Sequence, residues 1–197
     1  MNFSYTRETN MVITSYGFTS FKLQSGDTVV AIDPPEKGAR FEAKVALFTN
    51  PKSSRTSSLA GEPHIFATPG EYEVSDIEFV GFEVSGTTPF LIEWEGMRLL
   101  HLGALGKISL AEEMLDRIGT IDILFVSAAG TEAQKLVAQI DPRIVVPMET
   151  EDAKRNAVES FVKELGEKPE RMDKLTIKAK GLPAEGQRLV ILGTEGK

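Results

Sequence analysis

The chain has 197 residues, 41% of them hydrophobic and 26% charged, a balance that suits a single globular domain over residues 1–197. With 22 basic residues against 29 acidic ones the net charge is −7, which excludes a general electrostatic affinity for nucleic acid or anionic membrane. Cysteine is absent, so disulfides, thiolate chemistry and cysteine-ligated zinc are excluded together.

The opening MNFSYTRETN has no basic stretch followed by an apolar run, and no apolar stretch approaches the roughly 18 residues of a membrane span; the expected location is the cytoplasm. Short strands follow: MVITSY, FKLQ, a Ser25-Gly26-Asp27 turn, and TVVAID ending at Asp33-Pro34-Pro35. VALFT then runs into a polar and basic loop, TNPKSSR, that contains no histidine, aspartate or cysteine. HIFAT, a Pro69-Gly70 turn and the alternating YEVSDIEFVGFEV come next, and PFLIEW and MRLLHL flank Glu95-Gly96 as a tight hairpin. These signals predict a mostly antiparallel first half.

From residue 108 the rhythm changes. ISLAEEMLDRIG and EAQKLVAQI have helical apolar spacing, while IDILFVSA and RIVVPM read as buried strands, which together make βαβ alternation. A third helix, DAKRNAVESFVKELG, closes on Gly166, and KLTIKA and RLVILG supply two final strands.

Four segments in order, TVVAIDP, VALFTN, ATPGEYEV and RLLHLGALG, followed by IDILFVSAAG and RIVVPMET, resemble the metallo-β-lactamase fold superfamily, in particular its branch of small metal-dependent hydrolases. The likeness covers about residues 11 to 192. It implies an αββα four-layer sandwich, two mixed sheets flanked by helices, with two zinc or manganese ions at the strand ends. The family motif is a threonine followed by His-x-His-x-Asp-His. Here Thr49 is in place, but the four ligand positions are Asn50, Lys52, Ser54 and Arg55. By the same resemblance Ala104 stands at the bridging aspartate, Glu149 at the last histidine, and Phe18 at the histidine of a Gly-His-Ser segment. Asp33 and His101 keep the family's residue type, and neither is a principal ligand there.

A catalytic zinc site needs at least three His, Asp, Glu or Cys ligands and an open position for water. Only two histidines, His64 and His101, exist in the whole chain, and Lys52 and Arg55 are cations that repel a divalent ion at close range. The expectation is a protein without a metal cofactor, with no catalytic residues, acting as a non-catalytic binding or scaffolding protein, as a homo-oligomer or beside a protein partner. Two alternatives stay open: a hydrolase with one displaced metal held by Glu149, Glu71 and His101, and a small-anion binder that uses Lys52 and Arg55.

Without metal, carboxylates at such a site must find other partners. One solution is an internal ion-pair network of Lys52 and Arg55 with Asp33, Glu71 and Glu149; the other is a solvated loop. His101 reads as a surviving base or as a structural histidine that orients the loop after it. Glu71 and Glu73 share a strand face, either as an acid/base pair or as structural residues. Ser127 to Thr131 either binds an anion at a helix start or caps that helix. Trp94, Phe79, Phe82 and Phe90 fit a β-core or, if exposed together, a partner surface.

Overall fold

The computed structural model describes residues 9–36, 40–53, 56, 58–105, 110–129, 132–150 and 156–195. In chain order the first half forms β1 (Met11–Gly17), β2 (Ser20–Ser25), β3 (Thr28–Ile32), β4 (Phe41–Glu42), β5 (Val45–Leu47), β6 (Leu59–Ala60), β7 (His64–Phe66), β8 (Gly70–Val74), β9 (Ile77–Gly81), β10 (Phe90–Trp94) and β11 (Met97–His101). The second half adds α1 (Glu112–Ile118), β12 (Ile123–Ser127), α2 (Glu132–Ile140), β13 (Ile144–Met148), α3 (Ala157–Leu165), β14 (Glu170–Met172), β15 (Lys174–Ile177) and β16 (Arg188–Leu192).

Two mixed sheets result. The first runs β15-β1-β2-β3-β5-β7 and the second β14-β16-β13-β12-β11-β10-β9-β8. The chain stitches them together near its end, since β14 and β16 lie in the second sheet while β15, between them in sequence, pairs antiparallel with β1 in the first. Alternation in β1, β2, β9 and β10 turns Ile13, Phe21, Leu23, Phe79, Phe90 and Ile92 into the space between the sheets, where Phe125 joins them. The opposite face of the second sheet carries Leu100, Leu124, Val126 and Val145, and against these pack Met114, Leu136, Val137 and Phe161 from the three described helices. Strands β12 and β13 are buried at every residue because they are covered on both faces, which is why they read as unbroken apolar runs.

The result is a sheet-on-sheet core with a helical layer on the second sheet. Among the described residues the outer face of the first sheet is covered not by a helix but by the β4–β6 ladder, over a small cluster of Ala31, Ala46, Phe48 and Leu59. The expectation of a mostly antiparallel first half holds for most of its strand pairs. β1–β2–β3 and β8 to β11 are antiparallel, yet β3, β5 and β7 are mutually parallel. Trp94, Phe79, Phe82 and Phe90 are all buried, so they are core rather than a surface. Glu95 and Gly96 both adopt positive φ, at 53° and 70°, the backbone of a tight hairpin turn. Gly166 caps α3 in the left-handed region and donates its N–H to the Val162 carbonyl. No described helix is long and apolar enough to cross a membrane.

Candidate functional site

Parallel pairing of β3 with β5, with Ile32 opposite Leu47, brings the residues just past the two strand ends side by side. The backbone N–H of Asp33 donates to the Leu47 carbonyl at 2.9 Å. Thr49 then fills both carboxylate oxygens of Asp33, its N–H donating to Oδ1 at 2.7 Å and its hydroxyl to Oδ2 at 2.6 Å. Thr49 itself is buried, and its carbonyl accepts the Thr88 N–H at 2.7 Å. The half-buried Asp33 carboxylate is therefore stabilised by the loop it anchors.

His101 ends β11 with its ring fully buried between Phe21 and Phe125, at centroid distances of 5.7 and 5.5 Å. Its Nε2 lies 3.0 Å from the Thr19 carbonyl, and its Nδ1 lies 3.1 Å from the Gly103 N–H. A carbonyl can only accept and an N–H can only donate, so these two partners select the neutral tautomer with the proton on Nε2. Burial lowers the His101 pKa, against smaller upward pulls from the Asp33 charge and the Thr19 hydrogen bond. The ring thus orients the loop that follows it and links that loop to the β1–β2 turn.

The positions that the resemblance sets against metal ligands are, where described, turned to solvent. Asn50 is exposed, and its Oδ1 accepts the Lys52 N–H at 3.0 Å, closing the short 3-10 turn Pro51–Ser53. Lys52 is exposed and pairs with no described carboxylate, so of the two alternatives the solvated loop, not the ion-pair network, describes it. A long lysine at a loop tip keeps its ammonium in water rather than paying for desolvation. Ser54 and Arg55 lie outside the described residues, as do Gly130 and Thr131 of the proposed anion loop. Ala104 and Glu149 are exposed. Glu71 is drawn to another part of the molecule, where it pairs with Arg117 at 2.7 Å. Glu73, on the same face of β8, is also exposed, and His64 is exposed on the short edge strand β7.

Among the described residues no group of three or more His, Cys, Asp or Glu side chains is placed to hold a metal ion. The trio Glu71, His101 and Glu149 is not brought together. Both His101 nitrogens and both Asp33 oxygens already have intramolecular partners, so the donors present do not fit a dinuclear centre.

Sequence reasoning missed a cleft of about 560 Å³ in which Glu149 lies at one wall. Strands β13, β14 and β16 are mutually parallel, so their carboxyl ends open on one side, and the next residues are Glu149, Asp173 and Gly193. Phe18, at the tip of the β1–β2 hairpin, forms the opposite lip. The only sequence signal for this arrangement was a charged residue immediately after an apolar strand.

The β-lactamase superfamily domain profile matches residues 12–149. Among solved structures the chain is similar to a candidate Zn-dependent hydrolase of the metallo-β-lactamase superfamily from Thermotoga maritima, at 26% identity and a TM-score of 0.79, over 92% of this chain and 98% of that one. A candidate metal-dependent hydrolase from Parabacteroides distasonis matches at 14% identity and a TM-score of 0.58, over 92% of each chain. The isothiocyanate hydrolase from Delia radicum gut bacteria matches at 10% identity and a TM-score of 0.60, over 93% of this chain and 97% of that one. The last two show the fold alone. No curated protein matches the chain. A profile that covers most of the chain, together with two mixed sheets and a helical layer in the same arrangement, places this protein in the β-lactamase superfamily, with a hydrolase-like metallo-β-lactamase fold.

Proposed function

We propose that this chain, one domain over residues 1–197 in the cytoplasm, is a pseudoenzyme of the superfamily that has lost its dinuclear metal site and works as a binding or scaffolding protein. One observation carries the reading. The surviving pair Asp33 and His101 is consumed by hydrogen bonds to Thr49, Thr19 and Gly103, while the ligand positions Asn50, Lys52, Ala104 and Glu149 face solvent with residue types that cannot together hold a divalent ion. What was a metal loop is retained as a structural loop. Lys52 adds a positive charge where relatives place a ligand, which opposes ion capture further.

The test is metal analysis by inductively coupled plasma mass spectrometry, on protein purified without chelator and again after dialysis against zinc and manganese. Sub-stoichiometric metal in both samples is the expected result. One or more tightly held ions per chain would overturn it and favour the hydrolase alternative, for which the likeness to the T. maritima protein is the support.

A further inference from the structure

Among the described residues His101 is the only ionisable side chain that is buried, and a binding or scaffolding role makes no use of it. Its two nitrogens face partners of opposite kind. Nε2 donates to the Thr19 carbonyl at 3.0 Å, while Nδ1 accepts the Gly103 N–H at 3.1 Å.

The surroundings of the ring are nearly free of charge. Phe21 of β2 and Phe125 of β12 bound it, and Asp33, at the end of β3, is the described charge that acts on it. That carboxylate favours the protonated ring, and burial opposes it more strongly. Arg55 and Lys107, in the loops after β5 and β11, lie outside the described residues. Both hold a constant charge between about pH 5 and 8, so they can move the midpoint of a titration but cannot supply one.

A proton on Nδ1 reverses what the ring needs there, since an acceptor is required where an N–H now stands. The peptide that carries this N–H, between Leu102 and Gly103, has an acceptor on its other edge, the Leu102 carbonyl. A half-turn of that single peptide plane exchanges the two. Gly103 permits the turn, because its φ passes from +66° to the negative side and glycine is stable in both regions. The flanks stay in place. Leu102 and Leu105 are buried against the helical layer, and the Leu102 N–H belongs to the preceding peptide, where it donates to the Phe125 carbonyl at 3.1 Å.

We propose that His101 and the peptide between Leu102 and Gly103 form an acid-driven switch: the neutral ring accepts from Gly103, the imidazolium donates to the Leu102 carbonyl, and the peptide plane turns over between the two states. Acid then alters the backbone where the loop after β11 meets Thr49, without melting either sheet. The switch rests on the metal-free reading, because a divalent ion beside Asp33 would hold the ring neutral by charge repulsion.

The experiment follows amide hydrogen exchange in the full chain from pH 7.5 to 5, without urea and in about 1 M urea, below the unfolding transition. Once the pH is under about 6.5, the ordinary histidine value, protection of the Gly103 amide should fall about tenfold per pH unit, independently of urea. Amides of β12 and β13 should stay at least about a hundredfold better protected. His101→Gln keeps a donor and an acceptor but takes up no proton, so its Gly103 protection should not vary with pH; His64→Ala should behave as the parent. Three results would overturn the switch: constant Gly103 protection in the parent, a fall that depends on urea and matches β12, or the same fall in His101→Gln. The urea comparison needs only the parent, so it decides the matter even where the glutamine variant fails to fold. Metal content of the same sample separates the two readings. Stoichiometric metal sinks the metal-free reading, whereas a metal-free chain with constant Gly103 protection sinks only the switch.

Discussion

Gly103 lies so close to Thr49 that a Cβ on the glycine would fall 2.6 Å from the threonine hydroxyl and 2.8 Å from its Cβ. Thr49 cannot yield, since Asp33 holds both its N–H and its hydroxyl, and Gly103 is at φ +66°, where an L side chain is strained in any case. Gly103→Ala should destabilise by on the order of 2–4 kcal/mol, read as a lower urea midpoint at unchanged slope. A loss under about 0.5 kcal/mol would mean that the two loops are not packed as described.

The hydroxyl of Thr49 is the part of this contact that chemistry can isolate. Thr49→Val keeps the shape and removes the donor to Asp33 Oδ2, leaving a half-buried carboxylate oxygen short of a partner. We expect a cost of about 1–3 kcal/mol, and less than about 1 kcal/mol for Thr49→Ser, which keeps the hydroxyl. The ordering of the two variants in urea denaturation is the check; a valine variant as stable as the serine one would contradict it.

Acid should weaken the fold through His101. Its folded pKa is lowered by burial, so the unfolded chain binds this proton more readily than the native one. The stabilisation is complete above the unfolded value, near 6.5, and is lost as pH falls below it towards the depressed folded value. Protonation also places a hydrogen on Nδ1, where the Gly103 N–H now donates. Unfolding free energy measured from pH 7.5 to 5 should therefore fall on the acid side in the parent and flatten in His101→Gln. Parallel curves would show that His101 does not titrate between the two states.

If the family frame is right, the lost ligands can be put back. A variant carrying Asn50→His, Lys52→His, Ser54→Asp, Arg55→His, Ala104→Asp and Glu149→His should take up zinc and rise in melting temperature with added metal, as any group that binds only the native state requires. The parent should shift by less than about 1 °C under the same zinc. A parent that is stabilised as strongly as the six-fold variant would refute the account of the loss.

Much of the layout was legible. The unbroken apolar runs of β12 and β13, the amphipathic α2 and α3 and the glycine at the end of α3 are local signals, and local physics suffices to place them. Strand direction is not local. Nothing in VALFT or HIFAT records whether the neighbour runs parallel, so the parallel pairing of β5 and β7 within a mostly antiparallel half emerges only from the structure. The strand Glu170–Met172 escaped notice because two of its three residues are exposed and charged, and only pairing with β16 defines it. At the site, residue identity at motif positions was enough to question the metal, and His101 stands where a structural histidine would. The direction of the Lys52 side chain depends on a turn closed by Asn50, and the cleft depends on three strands far apart in sequence.

The lip of that cleft, Phe18, is held from two sides. On one leg of the turn that bears Phe18, Ser15 bridges to Thr194 and accepts the Glu195 N–H at 2.8 Å; on the other, Thr19 is held by His101. With both legs fastened to the body of the protein, the position of Phe18 depends on two separate attachments, one to the last strand and one to the end of β11, and loosening either should free the tip of the hairpin.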